Sequence, residues 1–233
     1  MIQLINFKMT KDIEKLLSPK VLSSQLYLNS LTHRSASNKN NELLEFFGDS
    51  ILGFIITEFL FNKYPADDEG SLSRKRSYLV RKETLSKIAK DFNIGKKIIL
   101  GEGEKKSGGN KRDSIISDAL EALIAVVYIV DGYDETKKFI NNIFKNYLEK
   151  LPLDDDLKDS KTKLQELLQS QNCDLPKYDT KELVLKNEIN FKTICKISKY
   201  NIYEEGVGPS KRKSQQEAAS RALDKINSMD IKS

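Results

Sequence analysis

The chain has 233 residues, of which 39% are hydrophobic and 31% charged, and a formal net charge of +5. This composition can form a core and excludes collagen-like, low-complexity and wholly disordered proteins. The longest apolar run, residues 122–130, is far short of the roughly 20 residues of a membrane span, and the N-terminal segment has no signal-peptide core, so we expect a cytoplasmic protein without a membrane partner.

Histidine and cysteine are too scarce for several classes of site. His33 is the single histidine, and Cys173 and Cys195 are widely separated. A structural zinc site needs four nitrogen or sulfur ligands at close spacing, so the chain cannot form one. A ribonuclease with one histidine as base and another as acid is excluded too, and a structural disulfide is not expected in the cytoplasm. Catalysis must rest on carboxylates, hydroxyls, lysines or a metal held by oxygen.

Charge divides the chain into two basic blocks. Residues 1–150 and 160–228 each carry four more bases than acids, whereas residues 151–159 carry three more acids than bases. A short acidic stretch containing a proline is typical of a linker, and basic blocks favour a polyanionic partner. We predict a first domain, an acidic linker and a second domain over residues 1–152, 153–159 and 160–228.

The first block is predicted to be all-α. Apolar residues recur at three- and four-residue spacing over residues 43–60, 79–92 and 115–130, which predicts three helices separated by turn residues. No alternating strand pattern precedes residue 175. The glycines of residues 101–109 lack the lysine of a Walker loop, so this stretch is predicted to be an ordinary loop.

The second block is predicted to be a small α+β domain. A helical pattern over residues 160–171 is followed by three strand patterns over residues 178–185, 191–198 and 200–204. A last helix is predicted over residues 210–226. The order α-β-β-β-α indicates helices on one face of an antiparallel sheet.

Two apolar segments carry carboxylates in unfavourable positions. Glu42, Glu45 and Asp49 are three and four residues apart, so they share one face of a helix and repel each other. Asp118 and Glu121 share a face of a segment that is otherwise apolar all round, as in a buried helix. A buried carboxylate is costly unless it is protonated, paired or bound to a metal.

Ordinary explanations exist for each segment. The first stripe could be a solvated surface, and Ser117, Asp118 and Glu121 could form a helix-capping box. A hard divalent cation explains both clusters together, and oxygen ligands without a usable histidine favour Mg²⁺ or Mn²⁺. Such sites activate water and stabilise charge that develops on a phosphoryl group.

These segments resemble a known family. The sequence ELLEFFGDSIL (42–52) resembles the signature of the ribonuclease III family, usually written E-R-L-E-F-L-G-D-(A/S)-x-L, and the second block resembles the double-stranded-RNA-binding domain of its bacterial members. The matches cover nearly the whole chain in the family's order. The further matching segments are LTHRSA (31–36), DEGSLSRKRSYLVRKETL (68–85), LGEGEKKSGG (100–109), SDALEALIA (117–125), DSKTKLQELLQ (159–169) and GVGPSKRKSQQEAASRAL (206–223).

The resemblance implies a set of site residues in the first block. Asp49 and Glu121 match the positions most often assigned as active-site residues, and Glu42 and Glu69 match accessory acids at the edge of the site. Two residues depart from the motif, because Leu43 replaces an arginine and Phe47 a leucine; neither removes a ligand. The implied metal ligands are Glu45, Asp49, Asp118 and Glu121.

Two single residues of the first block have open interpretations. We expect His33 to be a structural residue that packs helix ends, with proton transfer as the alternative. Phe46 could be a core residue, whereas the family places a dimer-interface aromatic at this position.

The second block carries the expected RNA contacts. Ser210 is predicted to cap a helix whose first turn holds Lys211, Arg212 and Lys213; cations there oppose the helix dipole and favour a phosphate ligand over a solvated basic patch. The resemblance adds minor-groove contacts by Thr162, Gln165 and Glu166 on the first helix. A second groove contact is expected in the loop around Lys186–Asn190, although it is shorter than usual and lacks the usual histidine.

The resemblance implies a Mg²⁺-dependent endonuclease, with Mn²⁺ able to substitute, that hydrolyses double-stranded RNA and processes structured rRNA and mRNA precursors. It implies 5′-phosphate and 3′-hydroxyl ends, a homodimer and no organic cofactor. The first-block cations Arg74, Lys75, Arg76 and Arg81 could guide RNA or be solvated surface. The alternative function is a non-catalytic double-stranded-RNA-binding protein. A metal-dependent phosphohydrolase acting on nucleotides would not need the second block.

Overall fold

The computed structural model describes residues 12–185 and 188–230. The chain forms two compact units that divide between Pro152 and Leu153. The first is helical and the second combines helices with one sheet, which confirms the predicted fold class.

Seven α-helices build the first unit within its described residues. One short 3₁₀ segment, Ile13–Leu16, precedes the helices, and two more, Ile94–Lys96 and Gly109–Lys111, lie between them. The only strand-like pairing described there is a single bridge between Thr32 and Ile99. The helices are α1 (Pro19–Ser23), α2 (Gln25–Ser30), α3 (Glu42–Lys63), α4 (Glu69–Val80), α5 (Lys82–Asp91), α6 (Glu102–Lys106) and α7 (Asp113–Glu149).

Two predicted helices have different bounds in the structure. The pattern over residues 79–92 spans a corner, because Arg81 has extended backbone (ψ 151°) that ends α4 and begins α5. The third predicted helix is part of α7, which starts earlier and continues beyond Gly132. Gly132 adopts φ 81°, a conformation that glycine tolerates and that kinks the helix. The glycine-rich stretch also contains α6 rather than an unbroken loop.

The core of the first unit lies between α3 and α7. Leu52, Ile56, Leu120 and Leu123 are fully or almost fully buried, because α7 is apolar on every side over its first half. The two helices touch at Gly48, where an added Cβ would lie 1.8 Å from the backbone oxygen of Glu121. No side chain fits between the helices at this crossing.

The second unit has the predicted α-β-β-β-α order. The strands pair antiparallel in the order β1-β2-β3, and the helices cover one face with a core that includes Leu164, Leu168, Cys195, Ala218 and Ile226. A short helix, α8, occupies part of the predicted acidic linker. The elements are α8 (Asp154–Leu157), α9 (Ser160–Ser170), β1 (Lys177–Leu185), β2 (Glu188–Ile197), β3 (Ile202–Gly208) and α10 (Lys211–Asp230).

The third strand is displaced from its predicted position. Tyr200 belongs to a 3₁₀ turn that ends at Asn201, whose φ is 50°. The strand then continues to Gly208, because Gly206 and Gly208 let it lie directly against α10: a Cβ at Gly206 would lie 2.3 Å from the backbone oxygen of Ser214. Glycines that reduce strand propensity therefore belong to the strand here.

Within residues 12–185 and 188–230, none of the helices is both long enough and apolar enough to cross a lipid bilayer.

We expect Gly48→Ala to lower the free energy of unfolding by about 1–3 kcal/mol or more, because the new methyl group overpacks the contact between α3 and α7. The control is Gly103→Ala in α6, where a Cβ has no neighbour within 4 Å; it should be neutral or stabilising by about 0.5–1 kcal/mol. Urea unfolding measures both. Equal stabilities of the two variants would show that the helices do not meet at Gly48.

Candidate functional site

The crossing of α3 and α7 gathers the carboxylates of both helices. One carboxylate oxygen each from Glu45, Asp118 and Glu121 lies within 4.8 Å of the others, and all three residues are half-buried. Glu45 lies almost one helical turn before Gly48, the residue that lets the helices touch. Three oxygen donors at this separation match the preference of a hard divalent cation.

Asp49 lies beside this acidic cluster of Glu45, Asp118 and Glu121. It is exposed and is not one of the three converging residues. Burial raises the pKa of Glu121 to about 8, and repulsion by Asp49, Asp118 and Glu45 adds to the shift. Burial also raises the pKa of Glu45, with Asp118 as the next cause. The cluster therefore resists carrying its full negative charge without a compensating cation.

The capping explanation of the second segment is wrong. Helix α7 begins at Asp113, after Arg112, so Asp118 and Glu121 lie inside the helix rather than at its first turn. The solvated-surface explanation does not suit Glu45 either, since this residue is half-buried. Glu45 of the first segment and Asp118 and Glu121 of the second therefore belong to one shared, partly enclosed site.

The two accessory acids lie in different places. Glu42 is near the cluster and pairs with Arg34 at 3.3 Å. Glu69 begins α4 and lines an apolar cavity with Phe61, which lies 16 residues, or about 24 Å, along α3 from Glu45. Within one chain, Glu69 is therefore distant from the cluster.

An apolar stripe runs along the exposed side of α3. Leu43, Phe46, Phe54 and Phe61 are 85%, 76%, 62% and 71% exposed, so the interpretation of Phe46 as a core residue is wrong for the single chain. Phe47 instead packs edge-on against Tyr128, with ring centroids 5.7 Å apart. Exposed apolar surface of this extent marks an interaction site.

The predicted basic turn of the second unit lies at the start of α10. Lys211, Arg212 and Lys213 are exposed, and Ser210 caps α10 by accepting a hydrogen bond from the Lys213 amide at 3.2 Å. Lys161 joins this end to α9: its amide and ammonium groups donate to the side chains of Gln216 and Gln215.

The residues expected to contact the minor groove differ in their exposure and in their ion pairing. Gln165 is exposed and Thr162 is half-buried, whereas Glu166 is paired with Lys158 at 2.5 Å. Lys186 and Asn187 of the expected second contact lie outside the described residues. The flanking residues Val184 and Ile189 are 70% and 63% exposed.

Comparisons with known proteins agree with both units. The family model "Ribonuclease-III-like" matches residues 23–148, and "Double-stranded RNA binding motif" matches residues 160–226. Ribonuclease 3 of Buchnera aphidicola subsp. Acyrthosiphon pisum (strain Tuc7) is 44% identical over 223 residues, covering 95% of this chain and 99% of that protein. The chain belongs to the ribonuclease III family.

Further relatives of the ribonuclease III family support this assignment. Ribonuclease 3 of Methylococcus capsulatus is 44% identical over 87% of this chain and 88% of that protein. The crystal structure of the ribonuclease III nuclease domain from Campylobacter jejuni is 38% identical, covers 59% of this chain and 97% of that chain, and has a TM-score of 0.53. The identification as an endoribonuclease of this family is confirmed.

One cation of the ribonuclease III site was not found from the sequence. Lys82, the first residue of α5, places its ammonium nitrogen 3.7 Å from Asp118 Oδ1. The same charge opposes the raised pKa of Glu45 and of Glu121. No local pattern marks Lys82, because its position depends on the corner at Arg81.

Lys75 has a structural role that neither predicted interpretation covers. It is 6% exposed, donates to Asp67 and to Ser71 Oγ, and lies over the ring of Tyr64. A buried, paired ammonium group of this kind fixes the start of α4. Arg76 and Arg81 remain exposed.

We expect the metal-free protein to lose stability as the pH rises from about 5 to about 8. The folded pKa of Glu121, about 8, exceeds its ordinary value of 4.5, so the folded state binds more protons than the unfolded state in this range. The stabilisation is complete below the unfolded pKa and disappears through the folded pKa. In urea unfolding with chelator, the free energy of unfolding of Glu121→Gln should decrease less with pH than that of the wild type. Glu83→Gln, at an exposed position of α5, should follow the wild type. Parallel curves for Glu121→Gln and wild type would contradict this account.

Proposed function

We propose that this chain is a Mg²⁺-dependent endonuclease, with Mn²⁺ able to substitute, that hydrolyses phosphodiesters of double-stranded RNA and leaves 5′-phosphate and 3′-hydroxyl ends. The observation that carries the proposal is the convergence of Glu45, Asp118 and Glu121 beside Asp49. Processing of structured rRNA and mRNA precursors in the cytoplasm fits this activity and the family.

The carboxylates have distinct roles in the proposal. Glu45, Asp118 and Glu121 would hold the cation together with Asp49. The bound cation would supply Lewis-acid chemistry and activate water. Asp49 and Glu121 are the residues assigned to catalysis. Asp49 is exposed and accessible to substrate, and half-buried Glu121 favours cation binding because its free carboxylate is costly.

The second unit would bind the RNA duplex. Residues 160–228 present an exposed basic turn, Lys211–Lys213, near the start of α9. Helix starts and lysine or arginine side chains bind phosphate, while Thr162, Gln165 and Glu166 lie on the helix assigned to the minor groove. We assign residues 1–152 to cleavage, 153–159 to the linker and 160–228 to binding.

We further propose a homodimer through the apolar stripe of α3. A two-fold axis between Gly53 and Phe54 would set Phe46 of one copy opposite Phe61 of the other, and Ser50 opposite Thr57. An apolar cavity of about 320 Å³ beside Phe61 could receive the Phe46 ring. A solved nuclease domain of ribonuclease III from Campylobacter jejuni, 36% identical with a TM-score of 0.53 over 58% of this chain and 97% of that chain, is described with a region involved in dimer formation.

The dimer also explains the position of Glu69. This residue lines the cavity near Phe61, so the two-fold axis would bring Glu69 of a second copy toward Phe46 and the neighbouring Glu45. Each acidic cluster would then have an accessory acid from the other chain. Two clusters in one dimer would allow both strands of the duplex to be cut.

We expect Glu121→Gln to reduce cleavage of duplex RNA by orders of magnitude while retaining duplex affinity. Glutamine keeps the side-chain volume but removes an anionic oxygen from the cation site. The complementary variant, with Lys211, Arg212 and Lys213 changed to Ala, should lose affinity and part of its salt dependence. Gel-resolved products with and without Mg²⁺ measure cleavage, and filter binding in Ca²⁺ measures affinity.

Two outcomes would count against the assignment. A Glu121→Gln protein that cuts at nearly the wild-type rate in limiting Mg²⁺ would remove this residue from the site. A wild-type protein that binds duplex RNA but never cuts it would favour the non-catalytic alternative.

We expect Phe46→Asp to convert the dimer into a folded monomer, because this exposed ring tolerates the change within one chain but not within an apolar interface. Light scattering measures the mass, and far-UV circular dichroism checks the fold. The control is Leu28→Asp, an exposed apolar residue outside the stripe, which should remain dimeric. A monomeric wild-type protein would exclude the proposed interface.

A further inference from the structure

A polar cavity of about 520 Å³ opens beside the acidic cluster. Its wall includes Glu45 and Asp118 of the cluster and residues at the start of α7, with donors from His33, Arg34, Asn41 and Arg112. The volume lies within the range of small-ligand pockets, although the lining is unusually polar. None of these donors is needed to hold the proposed cation.

Asn41 is the most informative residue of the wall. It is only 3% exposed, and within the described part of the chain its amide makes no hydrogen bond, not even to cap α3. Among the described residues, Tyr178 Oη is the only completely buried side-chain nitrogen or oxygen without a partner, so the Asn41 amide keeps contact with the open space of the cavity. An amide that lines a cavity and has no hydrogen-bond partner in the protein can donate a hydrogen bond to a ligand bound there.

His33 offers a second unused donor. The backbone amide of Ser35 donates to His33 Nδ1 at 3.2 Å, and the Ser35 hydroxyl lies 2.8 Å from the same atom. Nδ1 therefore acts as an acceptor, which places the proton of the neutral ring on Nε2. Nε2 has no hydrogen-bond partner among the described residues.

The arginines of the wall are each balanced by one acid. Arg34 pairs with Glu42 at 3.3 Å and Arg112 with Glu104 at 2.7 Å, and each guanidinium has further N–H groups to donate. Glu45 and Asp118 are then the acids of the wall without an arginine partner, and both belong to the proposed cation site. A divalent cation there would offset the charge of these two acids and so weaken the repulsion of an anion near the donors.

We propose that this cavity is a phosphate-binding pocket, which holds the phosphate group next to the scissile one in the RNA strand. The donors are the Asn41 amide, His33 Nε2–H and the guanidinium groups of Arg34 and Arg112. The assignment rests on the proposed function, because the bound phosphate belongs to the cleaved strand. In this proposal, phosphate binding depends on the bound cation, so the RNA strand is ordered only when the cation site is occupied.

The test uses the full-length protein with uridine 5′-monophosphate as the probe, titrated in Mg²⁺ or in chelator and followed by NMR of side-chain amide and guanidinium groups. We expect binding in Mg²⁺ that shifts the signals of Asn41 and Arg112, and little binding in chelator. Asn41→Leu and Arg112→Gln should each weaken binding by about tenfold or more. Lys90→Gln should bind like the wild type, because Lys90 pairs with Asp113 at the same helix start but does not line the cavity.

Stability separates a ligand role of Asn41 from a structural one. Asn41→Leu replaces an amide that has no protein partner by an apolar group of similar size, so its unfolding temperature should stay close to that of the wild type. Arg112→Gln also removes a bond to Ser107; if it does not fold, Arg34→Gln takes its place with the same expected loss. A lower unfolding temperature of Asn41→Leu with unchanged probe binding would assign the amide to structure and overturn the proposal.

Cleavage measured in parallel distinguishes the two proposals. One outcome is that the wild type cleaves duplex RNA and the pocket variants bind the probe as the wild type does. This outcome would refute the pocket and leave the nuclease function intact. A wild type that fails to cleave duplex RNA in Mg²⁺ would instead refute the function. A rise in KM for duplex RNA in Asn41→Leu would support the pocket.

Discussion

The backbone contact between α3 and α7 at Gly48 is the constraint on which the candidate site depends. A side chain at this position would meet the carbonyl of Glu121, so only glycine allows the helices to approach closely enough for Glu45 to reach Asp118. The buried residues around the crossing, such as Leu52 and Leu120, supply the packing that opposes the repulsion between the carboxylates. The acidic site and the helical core are therefore two results of one close approach.

Local periodicity was enough to find the acids but not their surroundings. Glu45, Asp118 and Glu121 could be assigned to helix faces because residues three or four apart are neighbours on a helix, and the α-β-β-β-α order followed from alternation and turn residues. The position of Lys82, the burial of Lys75 and the kink at Gly132 depend on contacts between distant segments or on a single backbone angle. A sequence pattern of one period does not contain that information.

Both candidate binding regions hold charges that a protein without ligands would avoid. The first unit concentrates carboxylates in a half-buried crossing, where Lys82 compensates them only in part. The second places Lys211, Arg212 and Lys213 at the start of a helix, where the backbone dipole is already positive. Functional regions are where locally unfavourable choices persist, and here the two have opposite signs, suited to a cation and to a polyanion.

The crowded carboxylates have a consequence for the lifetime of the protein. A cation that binds the folded chain and not the unfolded one shifts the folding equilibrium with its own concentration. If the proposed cation site binds magnesium, the unfolded fraction that proteases can degrade would increase when free magnesium falls. Magnesium supply would then control how long each molecule survives as well as how fast it works, and the same four acids, Glu45, Asp49, Asp118 and Glu121, would link turnover to ionic conditions.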